Sequence, residues 1–173
     1  MVISVSWQPV KLSDKEYEEY LKSENIVDKY FALSHEIQHF SLPPPYAFMR
    51  VMIYLEWFFN KVIEKKIDDP IARGKLQDFT FIRKMDLLKD WELLVDDYYS
   101  DIDKLRIIRN EFAHTLLFDE DKVTQKFVEL KRYGEEKYKE LASMDKTIGI
   151  VMDTCGVLAQ AIKTNFVYKP SRK

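Results

Sequence analysis

At 173 residues the chain is long enough for one domain with a substantial hydrophobic core and short for two. Hydrophobic residues make up 46% and charged residues 32%, the balance of a globular protein, while only 4 Gly and 6 Pro argue against a turn-rich β architecture. A net charge of −2 lacks the basic footprint of a protein that coats nucleic acid, and the single Cys155 excludes an internal disulfide framework.

The first ten residues, with Trp7, Gln8 and Pro9, do not read as a cationic and apolar leader, so a cytoplasmic location is expected. Ile3-Ser4-Val5-Ser6-Trp7 is the one strand-like alternation. Ser13 followed by Glu16 is a capping box, and it predicts a helix over 14–40 with a break near Glu24–Asn25. Pro43-Pro44-Pro45 ends that helix, because proline lacks the N–H and clashes with the preceding turn. The next helix is expected over 46–66, with Val51, Leu55, Phe58, Phe59 and Val62 at helical spacing. Its most apolar run, 51–59, is interrupted by Glu56 and is too short to span a bilayer, so no membrane association is expected. Asp68-Asp69-Pro70 marks a loop and 71–77 a short turn. A third helix over 79–94 turns Ile82, Met85, Leu88 and Trp91 inward, and a fourth covers 96–114. Asp119 or Asp121 caps another, to about Ser143, whose lysines and glutamates alternate as on a solvated face. A last helix runs from Asp145 to about Phe166, and 169–173 is a frayed tail. The expectation is one all-α domain over 1–173: a bundle of five to six helices with an antiparallel core built on 46–66, 79–94 and 96–114.

The fourth helix carries the chemistry. Residues 105–117 read Leu-Arg-Ile-Ile-Arg-Asn-Glu-Phe-Ala-His-Thr-Leu-Leu. Ile102, Leu105, Ile108 and Phe112 form the stripe that faces a core. Asn110 and His114, four apart, share another side near Ile107, and Arg109 lies on the border between the two. A permanently charged guanidinium, an amide and an imidazole that exchanges protons near neutral pH suffice to act on a phosphodiester. A solvated face with a cation at the helix C-terminus would account for the same residues without catalysis. A second copy of the chain packing on this side would bury Ile107 and bring two Arg-Asn-His sets together.

This run resembles the signature of the HEPN superfamily, all-α proteins of which many are metal-independent endoribonucleases. The wording Ile-Arg-Asn-x-Phe-Ala-His is similar to the mannitol-repressor branch, which is associated with regulation. The likeness is close over 105–117 and looser upstream, through Leu55-Glu56-x3-Asn60 and Phe81-Ile82-Arg83-Lys84-Met85-Asp86-Leu87-Leu88. It implies a HEPN-like fold and a homodimer in which two signature helices meet. It also implies an RNA substrate, no cofactor, and Arg109, Asn110 and His114 as the catalytic set. His114 would move a proton as the RNA 2′-hydroxyl attacks the adjacent phosphate. Arg109 would hold that phosphate, Asn110 would orient one of the partners, and the product would end in a 2′,3′-cyclic phosphate. Toxin and defence or stress ribonucleases of this kind imply an antitoxin or regulatory protein partner. Some toxin members carry a Tyr two residues after the His; here that position is Leu116, so regulation through that Tyr is not expected. The alternative is a non-catalytic regulatory or interaction module with the same fold and dimer.

A second motif competes. His35-Glu36-Ile37-Gln38-His39 spells H-E-x-x-H and resembles the zinc-metalloprotease pattern, with His35 and His39 as zinc ligands and Glu36 as general base of a zinc-dependent hydrolase. Zinc needs a third ligand, yet the only other His is His114. Leu42 and Pro45 stand where longer versions of the motif place Gly and His. Glu56 and Glu64 follow no common zinc spacing. The simpler expectation is two partly exposed histidines near a helix end.

Overall fold

The computed structural model describes residues 11–39, 44–94 and 96–114, together with 121, 123, 125, 126, 129 and 130. Among them are six α-helices and no strand: α1 (Asp14–Lys22), α2 (Ile26–His39), α3 (Pro44–Glu64), α4 (Pro70–Gly74), α5 (Phe81–Asp90) and α6 (Asp96–His114), with a 3-10 turn over Lys75–Asp78. The all-α bundle expected from the sequence is the observed fold class. The strand-like stretch at 3–7, Cys155, most of the helix expected from Asp119 or Asp121 to about 143, the last helix and the tail at 169–173 lie outside the described residues.

Local chemistry starts each helix. At α1, Ser13 Oγ accepts from the Glu16 N–H at 3.3 Å and Glu16 Oε2 accepts from the Ser13 N–H at 2.9 Å, which closes the capping box. The break falls at Ser23, where the backbone turns extended and the hydroxyl donates to Asp28 at 2.6 Å. Pro44 and Pro45 do not merely end the preceding helix. They open α3, where the first-turn N–H groups have no intrahelical partner and proline loses nothing. Thr80 caps α5, which is shorter than the 79–94 expected. Its end is a Schellman turn: the Leu93 N–H reaches the Leu88 carbonyl at 2.9 Å and the Glu92 N–H reaches that of Lys89 at 2.8 Å. Glu92 takes the left-handed position at φ 58°, which glycine usually fills. Leu88 and Leu93, both buried, supply the apolar contact that goes with the motif.

The helices meet as successive antiparallel neighbours. Tyr20 lies against Phe31 and Tyr17 against His35, which sets α1 against α2. Glu24 pairs with Lys61, Tyr30 packs on Tyr54 and Glu36 pairs with Arg50, which sets α2 against α3. Phe48 meets Phe112 edge-on at 5.4 Å, and Met52 to Glu56 share a cleft with Arg106 and Arg109, so α6 also runs against α3. The central helix, α3, is buried on most sides, with Val51, Leu55, Phe58, Phe59 and Ile63 all at 0% exposure. Each such side chain contributes roughly 1.5–3 kcal/mol of burial, so α3 is where most of the stabilisation concentrates. From α6, Ile102, Leu105 and Ile108 complete the core, and Phe112 packs at its edge.

Candidate functional site

The buried stripe of α6 leaves Arg109 on its border, as the helix periodicity requires, and Arg109 lines a cleft of about 220 Å³. Three elements wall it. Met52, Ile53 and Glu56 come from α3; Phe79, Thr80 and Phe81 come from the start of α5; Arg106 and Arg109 come from α6. The edge contact between Phe48 and Phe112 anchors the last turns of α6 and so fixes Arg109 relative to α3. Phe81 is likewise held by stacking on Phe59 at 5.6 Å, and the Arg83 guanidinium lies 4.5 Å from the Phe79 ring centre.

The charges that line the cleft, with Lys84 bonded to Glu56 behind it, are unevenly matched. Lys84, 3% exposed, donates from Nζ to Glu56 Oε1 at 2.6 Å. Arg106 donates from Nε to Asp103 at 2.8 Å, one turn back on its own helix. Arg109 donates from Nη1 to the neutral Asn110 Oδ1 at 3.2 Å. Two of the three cations therefore face a carboxylate and the third faces an amide, which leaves the cleft with a local positive balance. Sequence reasoning did not single out Arg106 or Lys84 for this site. Glu56 entered through its place in Leu55-Glu56-x3-Asn60 and as a zinc ligand without a common spacing, not as part of this cleft, and Asn60, one turn further, does not line it. A basic residue three positions before Arg109 is the signal that could have found Arg106, since i and i+3 share a helix face.

The structure brings Arg109 and Asn110 together but not His114. Five residues on, His114 is rotated roughly 140° around the helix and displaced about 7.5 Å along it. It is exposed and does not line the cleft. Ile107 and Asn110, on the same side of the helix as His114, are half-buried.

The H-E-x-x-H segment is differently placed from what the sequence suggested. His35 is not partly exposed: it is 3% exposed, because α1 folds back over it. Its Nδ1 accepts from the Leu12 N–H at 3.1 Å, and its ring centre lies 5.1 Å from that of Tyr17. Glu36 Oε2 accepts from Arg50 Nη2 at 2.6 Å, a bond that pushes the Arg50 pKa up. Burial, reinforced by the Glu36 charge, raises that of Tyr17. A general base at Glu36 would first have to leave Arg50. The His39 side chain lies outside the described residues. Among the described residues, no group of three or more His, Cys, Asp or Glu is arranged to hold a metal ion. No helix among them is long and apolar enough to cross a membrane.

Comparisons of this chain with protein-family models, with curated proteins and with solved structures each find no match.

Proposed function

We propose that this chain is a metal-independent endoribonuclease of HEPN type, acting as a homodimer on unpaired RNA. The observation that carries the proposal is Arg109, an arginine facing a neutral amide in an open cleft, on the same helix as the exposed His114. Arg109 binds the scissile phosphate, and its fixed fork stabilises the charge that grows on the phosphate oxygens. The 2′-hydroxyl gives its proton to the His114 of the second copy and attacks phosphorus. The bond to the 5′-oxygen breaks, and that oxygen takes the proton back from the same imidazolium through water. The products are a 2′,3′-cyclic phosphate and a 5′-hydroxyl. Unpaired RNA suits this step because its 2′-oxygen can swing into line with the leaving oxygen.

Helix geometry supports the homodimer reading. Arg109 and His114 of one chain look in different directions, so a composite site needs His114 from a second copy beside the cleft of the first. A two-fold axis near His114, on the side of Ile107, would do this by pairing the same patch on both chains. A monomer by light scattering at micromolar concentration would remove the basis for it.

The test is cleavage of a labelled RNA panel by wild type, Arg109→Ala and His114→Ala, each with and without EDTA. Loss of one such group costs ~10²–10⁴-fold in rate, so both variants should be nearly silent and correctly folded. EDTA should change nothing. Uncut RNA with wild type, or undiminished cutting by the variants, would refute the proposal. One observation favours a second reading, a non-catalytic regulatory module or antitoxin-binding partner: His114 lies outside the cleft of its own chain. Uncut RNA together with a stable dimer would favour it.

A further inference from the structure

We infer that the Arg109 cleft is a nucleotide subsite that reads guanine, with Glu56 as its specificity-determining residue. The inference rests on the ribonucleolytic reading for its biological substrate, though not for its test. At about 220 Å³ the cleft is smaller than the ~300–1,000 Å³ of common small-molecule sites, so it takes one planar base rather than an extended ligand. Its contents are those of nucleotide recognition. Arg106 and Arg109 stand on one wall for a phosphate, and Phe79 supplies an aromatic surface for a base. Glu56 adds a carboxylate.

Acceptor chemistry selects the base. An ionised carboxylate has about four lone-pair sites and no donor, so the Lys84 bond to Oε1 leaves acceptor capacity for a ligand. That bond also holds the group in one orientation. Guanine presents two adjacent donors on its Watson–Crick edge, N1–H and the N2 amino group, and a carboxylate matches both. Uracil presents one N–H between two carbonyl oxygens, which the carboxylate repels. Adenine and cytosine each set one amino donor beside an unprotonated acceptor nitrogen. A well-made bidentate pair discriminates on the order of ten- to a hundredfold.

The experiment is calorimetric binding of the four nucleoside 3′-monophosphates and of inorganic phosphate to the full chain. Glu56→Gln keeps an oxygen for Lys84 but presents a donor to the base, so it should fold and lose the match to guanine. Ile53→Glu is the second variant. Ile53 is 52% exposed, so the change spares the fold, and it sets a negative charge at the mouth of the cleft. Guanosine 3′-monophosphate should bind wild type at least about tenfold tighter than the adenosine form. The ratio should fall to near one in Glu56→Gln, and all four nucleotides should weaken in Ile53→Glu. Equal binding of the four by wild type overturns the inference, as does a ratio unmoved by Glu56→Gln, or affinity unmoved by Ile53→Glu. Inorganic phosphate binding as tightly as the nucleotides also overturns it, because the site would then hold an anion alone. Guanine selectivity with an uncut RNA panel would sink the ribonuclease and leave the subsite standing. Cleaved RNA without selectivity would do the reverse.

Discussion

The Lys84–Glu56 pair should be strongly asymmetric, and the asymmetry can be worked out from exposure. Lys84 has 3% of its side chain exposed and Glu56 38%, with 2.6 Å between Nζ and Oε1. Glu56→Ala leaves an ammonium enclosed by protein without its acceptor. Losing one partner of a fully buried pair costs about 3–5 kcal/mol, and the exposure of Glu56 brings the expectation to about 3 kcal/mol. Lys84→Met instead removes the buried charge and keeps an unbranched apolar stem. The carboxylate left behind is already more than a third exposed and can take water, so the cost should stay within about 1 kcal/mol. The double variant should resemble Lys84→Met, a coupling of about 3 kcal/mol. Urea unfolding followed by far-ultraviolet circular dichroism measures all four proteins. Thermal melting should place Glu56→Ala roughly 6–12 °C below wild type, at about 2–4 °C per kcal/mol for a chain of this size. Equal losses for the two single variants, or strict additivity in the double, would refute the reasoning.

Glu92→Gly should raise stability by about 0.5–1 kcal/mol, because a left-handed residue with a Cβ costs about 1–2 kcal/mol and glycine returns part of that as unfolded-state entropy. A lower urea midpoint for the variant would contradict this. Tyr99 donates to Asp86 at 2.7 Å, and that hydrogen bond, with burial second, pushes its pKa up to about 12 from 10.0. The fold favours the protonated phenol, so this contribution is complete below pH 10 and is lost as pH rises towards 12. Tyr99→Phe should therefore lose less stability than wild type between those values in chemical denaturation; parallel losses would show that the bond contributes nothing.

Much of this protein follows from short-range chemistry that the chain carries in its order of residues. The Ser13–Glu16 cap, the break near Asn25, the turn before Pro70 and the apolar stripe of 96–114 all depend on groups within about one helical turn of each other, so spacing alone made them legible. Arg109 on the border of that stripe is a consequence of the same 3.6-residue period. The rest depends on partners far along the chain. Lys84 reads as a surface residue until α3 brings Glu56, 28 positions away, against it. His35 reads as half-exposed until Leu12 folds back 23 positions to donate its N–H. Glu92 could take a glycine's conformation because Leu88 and Leu93 are buried together, which outweighs a local backbone cost. No periodicity contains the cleft itself, where α3, the start of α5 and α6 converge. Its shape and its charge balance come from how three helices pack, a long-range result that only the tertiary structure decided.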